Sequence, residues 1–285
     1  MRHLFHFNLP KSGWAAGKLL ALLALLSGLA FSLLKPPVNS HAQTSTSLRY
    51  DQIQQRFVHN AFGTIQDPVD ESLTEQLIHY NIRGLELDLH PRQPQDLQPN
   101  HERDWFIYHV PLNDYQNSTV TRLTEALRML QGFHNAQPQH EVITINFEWG
   151  SEKRLKGNLS EFSYGRSPEM LDGLLREYLG NWLYTPQDLL NNNPGATTLH
   201  QAVTPSGPGR GWPTTDRLRG KFIFIVHAEG LDSIDTNLYF PGTQNGPPSA
   251  QNLATINSRV CFLIDENAWK NFSPGALAFL YPHVV

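Results

Sequence analysis

The segment NIRGLELDLH, residues 81–90, places two carboxylates inside a sequence that is otherwise typical of a buried strand. Side chains alternate between the two faces of a strand, so Glu86 and Asp88 share one face and the neighbouring leucines share the other. Two like charges side by side repel each other, and burying them without a partner is costly. The pair therefore requires a basic partner, a cation or bulk water.

Polar side chains also end three other segments that are typical of buried strands. In chain order the groups are His59 and Asn60 after the first predicted strand, Glu86 and Asp88 late in the second, His109 at the end of the third and Glu148 at the end of the fourth. Each of these residues alone is more often structural than catalytic. Together they predict one site, because the carboxyl ends of the strands in a (β/α) barrel meet at one rim. His59 and Asn60 are adjacent, so they can share that site only if the strand ends or bends there.

Together these side chains indicate a site for a divalent cation with two histidines beside it that can act as acid and base. Asn60, Glu86, Asp88 and Glu148 offer hard oxygen ligands, which calcium or magnesium prefers, whereas zinc is usually bound through His or Cys. The two histidines are then available for proton transfer near neutral pH. A hard cation with two such histidines suits phosphoryl transfer, because the metal offsets charge on the phosphate oxygens.

The elements that must position these groups alternate between strand and helix. The predicted strands are residues 55–60, 83–90, 104–110, 141–149, 221–229, 259–266 and 275–282, and the predicted helices are 70–81, 121–135 and 167–183, the last with Ser167 as N-cap and Pro168 at the first helical position. Such alternation predicts an α/β protein with a parallel sheet, and at this length a (β/α) TIM-type barrel, irregular or incomplete. An open α/β sheet is the alternative. TNLYF, residues 236–240, is the candidate for an eighth strand.

Composition and the N-terminus limit the class of protein. The chain has 285 residues, a net charge of −4 and a single cysteine, Cys261, so neither a nucleic-acid-binding surface nor an internal disulfide is expected. Residues 1–42 contain basic residues, then a long apolar run, then the small-residue site SHA, as in a secretory signal peptide. An uncleaved membrane anchor is the alternative. Both predict an exported domain over residues 43–285, either secreted or periplasmic.

Five segments carry a resemblance to a known family. VHNAFGT, RGLELDLH, YHVP and INFEW, in this order, together with GWPTTDRLRGKFIF, are similar to the barrel of phosphoinositide-specific phospholipases C, and most of all to the secreted, calcium-dependent bacterial type. The similarity spans about residues 55–229. The resemblance implies that His59 and His109 are the catalytic pair. It implies as calcium ligands Asn60, Glu86, Asp88 and Glu148.

The chemistry implied by this resemblance is attack of the inositol 2-hydroxyl on the adjacent phosphodiester. The products are diacylglycerol and a cyclic inositol phosphate, and the partner is a phospholipid head group at a membrane surface. His109 is expected on the side of the nucleophile and the phosphate, and His59 at the phosphate, although either could protonate the leaving oxygen. His227 and Glu229, at the end of the fifth strand, are candidates to contact the inositol ring.

Two other families and one other class of protein remain as alternatives. A glycerophosphodiester phosphodiesterase uses the same barrel with two histidines, but usually has His-Arg-Gly where this chain has His59-Asn60. A sphingomyelinase-D-like lipase is a further variant of the same chemistry. A secreted binding module that kept the barrel and lost turnover is the alternative outside enzymes. The domain is expected to be a monomer.

Overall fold

The computed structural model of the chain describes residues 48–64, 68–91, 103–109, 118–149, 160–203, 211–228, 234–242 and 248–264. The predicted export segment, residues 1–42, lies outside the described residues. Within the described ranges, no helix combines the length and the apolar character needed to cross a membrane.

The described strands form one sheet, in which the order along the main path is β1-β2-β4-β5-β6 and all neighbouring pairs are parallel. The strands are β1 (Phe57–Val58), β2 (Gly84–His90), β3 (Phe106–Ile107), β4 (Ile143–Trp149), β5 (Phe222–Ala228) and β6 (Phe262–Ile264). Six of the seven predicted strands are thus present, mostly shortened at their ends, and the seventh, residues 275–282, lies outside the described residues. The predicted α/β class with a parallel sheet is confirmed.

The third strand differs from the prediction in its direction. β3 pairs antiparallel with β2, with Leu89 opposite Ile107 and His90 opposite Phe106. Parallel pairing requires a crossover of a dozen or more residues, usually a helix. The sequence between β2 and β3 contains prolines at 91, 94 and 99, which oppose a helix there. The chain therefore returns along β2.

The described α-helices are α1 (Leu73–His79), α2 (Leu123–Ala136), α3 (Pro168–Leu179), α4 (Pro186–Asn192), α5 (Leu199–Val203), α6 (Ile234–Tyr239) and α7 (Ala250–Ser258). Three of them, α1 to α3, begin within a few residues of the predicted ones, and the other four were not predicted from the sequence. Ser167 caps α3 as predicted, since its hydroxyl accepts the amide of Met170 at 3.2 Å. The predicted helix 167–183 ends early, because Gly180 has φ +47° and begins a 3₁₀ turn.

The suggestion that TNLYF forms an eighth strand is wrong. Residues 236–239 lie in α6, and Asp235 and Tyr239, one helical turn apart, are both fully buried. Burial at a spacing of four residues is typical of a helix and not of a strand.

The sheet has two faces with different chemistry. The leucines of β2 and the large apolar residues of β4 pack against α1, α2 and α3 in one core, which includes Leu77, Leu127 and Leu171. We call the opposite surface the site face; it carries Glu86, Asp88 and His90 on β2 and Thr144, Asn146 and Glu148 on β4. At the amino ends of the strands this face is apolar, where Val142, Ile223 and Phe262 pack with Trp212. The site face therefore changes from apolar to acidic towards the carboxyl ends of the strands.

Candidate metal and catalytic site

Three carboxylates meet on the site face. The parallel register of β2 and β4 pairs Glu86 with Asn146 and Asp88 with Glu148, so each acid of β2 lies beside a polar residue of β4. One oxygen each of Glu86, Asp88 and Glu148 lies within 4.8 Å of the others. Asp88 is fully buried, Glu86 is buried and Glu148 is half-buried. Three negative charges at this distance repel each other. The arrangement is therefore favourable only when a cation compensates the charges.

The turn after β1 brings Asn60 to this cluster. β1 ends at Val58, and Asn60 adopts a left-handed backbone conformation with φ +49°, which asparagine tolerates better than most residues. Its backbone amide donates to Oε2 of Glu86 at 3.1 Å, and its side-chain Nδ2 lies 3.2 Å from Nδ1 of His59. The strand thus ends before His59. The adjacent residues His59 and Asn60 can therefore both face the same site, as the sequence-based prediction required.

His59 lies at the open side of the cluster. Its Nε2 is 3.5 Å from Oε2 of Glu86, and its side chain is 63% exposed. The ring is therefore in contact with both the acidic cluster and solvent.

His109 reaches the cluster because β3 runs antiparallel to β2. Its Nδ1 lies 2.9 Å from Oδ2 of the fully buried Asp88. Burial and, to a smaller extent, the charge of Glu86 raise the pKa of Asp88 to about 6, although the hydrogen bond with His109 acts in the opposite direction. An ionised Asp88 can only accept, so it keeps the proton of His109 on Nδ1, and Nε2 is then the ring nitrogen that can act as a base.

Two residues of the site face were not singled out from the sequence. Asn146 donates from Nδ2 to Oε1 of Glu86 at 3.2 Å. His90 is fully buried, its ring stacks on Tyr108 with centroids 3.9 Å apart, and its Nε2 lies 2.6 Å from the Tyr108 carbonyl oxygen, to which it donates. Each lies two positions from a predicted ligand on the same strand. Residues at this spacing share a face of a strand, so the sequence could have placed both on the site face.

The remaining predicted contacts are placed only in part. The backbone of His227 lies in β5 in register with Glu148, and Glu229 lies outside the described residues.

The donor set fits a hard cation. Oδ1 of Asn60, Oδ1 of Asp88 and Oδ1 of Asn146 are buried and receive no hydrogen bond. Buried acceptors normally have a donor, and these three oxygens are therefore suited to bind a cation. Carbonyl and carboxylate oxygens are the ligands that calcium prefers.

Comparison with known proteins places the chain in a family. Residues 93–266, more than half of the chain, match the family model described as phosphoinositide phospholipase C, Ca2+-dependent. The chain belongs to this family. The family is calcium-dependent, in agreement with the predicted cofactor. The matched residues include His109 and Glu148, whereas β1 and β2 precede them.

Solved structures of bacterial enzymes are similar in fold. The calcium-dependent phosphoinositol-specific phospholipase C of a Gram-negative Pseudomonas sp., in an apo form described with myo-inositol, is 20% identical with a TM-score of 0.55, over 76% of this chain and 66% of that one. A second crystal form is 22% identical with a TM-score of 0.53, over 75% and 66%. At this identity the likeness concerns the fold alone, and it confirms the predicted barrel-type α/β class. The chain spans slightly less than two thirds of the length of the Pseudomonas enzyme.

A calcium-dependent phosphatidylinositol-specific phospholipase C from Streptomyces antibioticus is 21% identical over 80% of this chain and 71% of that one, with a TM-score of 0.47. No curated protein sequence matches the chain significantly.

Proposed function

We propose that the protein cleaves phosphatidylinositol or a closely related phospholipid to diacylglycerol and a cyclic inositol phosphate. One observation supports this most directly: His109 is hydrogen-bonded to Asp88, which belongs to a cluster of three carboxylates with unsatisfied oxygens beside it. A base held against a cation site is the arrangement that phosphodiester cleavage by an internal hydroxyl requires. Membership of the calcium-dependent family supports the same reaction.

Four residues would hold the calcium ion, namely Asn60, Glu86, Asp88 and Glu148. When bound there, calcium lowers the pKa of a hydroxyl that it contacts and offsets negative charge on the phosphate oxygens. Glu86 is held in place by two donors, the backbone amide of Asn60 in the turn after β1 and the side chain of Asn146 on β4. The site is thus preorganised, since its central carboxylate needs no rearrangement to accept a cation.

The two histidines carry out the proton transfers in this proposal. His109, with its Nδ1 proton held by Asp88, accepts the proton of the inositol 2-hydroxyl on its other nitrogen as the hydroxyl oxygen attacks phosphorus. The bond between phosphorus and the glycerol oxygen breaks, and protonated His59 donates its proton to that oxygen. The side chains of His59 and His109 are 63% and 25% exposed, so both rings can be reset by proton exchange with water. We also propose His227 and Glu229 as contacts of the inositol ring, because in the sequence they lie at the end of the predicted strand 221–229.

The assay that tests this proposal uses vesicles containing phosphatidylinositol and detects both products. Cleavage is expected with calcium and is expected to stop when a chelator is added in excess. Release of diacylglycerol that continues in chelator would overturn the metal assignment. Binding to the vesicles without any product would instead favour a non-catalytic binding module, and cleavage of glycerophosphoinositol alone would favour a glycerophosphodiesterase.

We also propose that residues 1–42 export the domain, which then acts as a monomer on a membrane surface outside the cytoplasm. The basic start, the apolar run and the SHA site support export. N-terminal sequencing of the exported protein distinguishes cleavage after Ala42 from a retained anchor. A domain that stays in the cytoplasm would contradict the proposal.

A further inference from the structure

Asn146 lies on the site face of β4 between Thr144 and Glu148, whose surroundings account for their side chains. On one side Thr144 is satisfied, because its hydroxyl contacts the Tyr50 hydroxyl at 2.6 Å and donates to Gln55 at 2.7 Å. On the other side Glu148 belongs to the carboxylate cluster. Asn146 itself is 7% exposed and lies opposite Glu86 in the register of the two strands.

The orientation of the Asn146 amide follows from its contact with Glu86. Its nitrogen lies 3.2 Å from Oε1 of Glu86. An ionised carboxylate only accepts hydrogen bonds, so the amide must present its nitrogen and not its oxygen to Glu86. The oxygen then lies on the other side of the amide, and there it is buried and receives no hydrogen bond. A buried amide whose nitrogen is hydrogen-bonded and whose oxygen is not requires an explanation.

We propose that the Asn146 side-chain oxygen is a fifth protein ligand of the calcium ion and that it biases the site towards calcium over magnesium. The inference rests on the proposed metal site. Calcium takes six to eight oxygen ligands in flexible geometry, whereas magnesium requires a near-ideal octahedron and keeps several of its waters. A fifth protein oxygen therefore favours the larger ion, and the magnesium ion gains little from it.

The contact with Glu86 gives Asn146 a second effect that must be separated from the first. Through its nitrogen, Asn146 also holds the Glu86 carboxylate in place. Losing only that support would weaken calcium and magnesium alike, because Glu86 is offered to either ion. Losing a ligand would weaken calcium more than magnesium. The ratio of the two affinities is therefore the discriminating measurement.

The experiment is calorimetric titration of the lipid-free protein with calcium chloride and, separately, with magnesium chloride. Wild type is compared with Asn146→Leu, which keeps the volume and removes both polar ends, and with Asn146→Ser, which serves if the leucine variant does not fold. The matched control is Asn257→Leu, because Asn257 in α7 also has a side-chain oxygen that is buried without a hydrogen bond. Because loss of the Glu86 support weakens both ions alike, we expect the ratio of the calcium Kd to the magnesium Kd to rise at least ~10-fold in the Asn146 variants. The control is expected to keep both values.

Equal losses for both ions, or no loss for calcium, would overturn the inference, and so would a wild-type protein that binds no calcium. Cleavage of phosphatidylinositol is measured separately. A wild type that binds calcium selectively, with the selectivity lost in the Asn146 variants, but cleaves no lipid would refute the proposed activity and support the ligand. A wild type that cleaves lipid while the variants keep their calcium preference would refute the ligand alone.

Discussion

Nδ1 of His109 lies 2.9 Å from Oδ2 of Asp88, although the two residues are 21 positions apart. The contact joins the proposed proton acceptor, His109, to the proposed cation site. A change in the charge of either residue should therefore alter the other. It depends on the antiparallel pairing of β3 with β2, which brings the chain back beside the acidic strand.

Replacing His109 by glutamine should abolish most of the activity and little of the stability. Glutamine can still donate to Asp88, so the buried carboxylate keeps a partner, but the base is lost, and kcat should fall roughly 10²–10⁴-fold. Turnover and melting temperature are measured together, with His200→Gln on α5 as an exposed control. A folded His109→Gln protein with near-normal kcat would exclude His109 as a catalytic residue.

His59→Gln should also lose activity, with an even smaller effect on folding. Because the side chain is 63% exposed, its removal should change the free energy of unfolding by less than about 0.5 kcal/mol, as at other surface positions. Loss of one proton-transfer group should cost about 10²–10⁴-fold in rate. His79→Gln, exposed at the end of α1, is the matched control for a histidine outside the site. Unchanged turnover would leave proton transfer to His109 alone.

Asp88→Asn should weaken the response to calcium without destabilising the calcium-free protein. Burial raises the pKa of Asp88, so the charged form is unfavourable in the folded state, and its removal should leave the calcium-free melting temperature equal or higher at pH 7.5. In the wild type, calcium at 100 times its Kd should add about 2.7 kcal/mol to the free energy of unfolding, and the variant should show much less.

The measurement for Asp88→Asn is a melting curve with and without calcium, with the exposed Asp216→Asn as control. Arg83, the basic residue directly before β2, pairs with Glu141 at 3.0 Å. Strong destabilisation of the calcium-free variant would mean that Asp88 stabilises the fold through His109 more than it repels its acidic neighbours.

A buried histidine pair should make stability fall in mild acid. His134 Nδ1 and His140 Nε2 are 3.1 Å apart, and His140 Nδ1 donates to the carbonyl of Glu141 at 2.6 Å. Burial lowers the pKa of both rings, helped by the charge of Lys221 at His134 and that of Arg83 at His140. The unfolded chain therefore binds more protons than the folded one as the pH falls below about 6.5, and stability is lost in that range.

Denaturant unfolding at a series of pH values from 7.5 to 5 tests this effect. The loss between pH 6.5 and 5 should be smaller in His134→Gln than in the wild type, because one of the two titrating rings is gone. An identical loss in both proteins would show that other groups dominate the acid response.

Gly84→Ala should disturb the first strand and with it the turn that carries Asn60. A Cβ at this position would lie 2.1 Å from Cδ2 of Phe57, in the paired residue of β1. Overpacking of this kind costs about 1–3 kcal/mol, and a shift of β1 should weaken calcium binding as well. Gly132→Ala in α2 meets nothing within 4 Å and should stabilise by roughly 0.5–1 kcal/mol, which makes it the control. Equal stability of the two variants would contradict the close packing of β1 on β2.

Short-range patterns in the sequence were sufficient to predict which side chains share a face. The alternation in LELDL places Glu86 and Asp88 together, and the alternation in ITINFEW separates Glu148 from the apolar residues of β4, because strand geometry repeats every two residues whatever the partner strand is. Ser167 and Pro168 similarly marked the start of α3, since capping involves only residues of one turn.

The tertiary structure alone decided which of these faces meet and in what register. Nothing within residues 104–110 indicates an antiparallel partner, yet that pairing brings His109 to Asp88. The pairing of Glu86 with Asn146 depends on how β2 and β4 align across 60 positions of sequence. Strand direction and register result from long-range packing, because a local pattern sets only the orientation of each side chain relative to its own backbone. The candidate ligands were therefore available from the sequence, whereas the hydrogen bonds that orient them depend on the folded sheet.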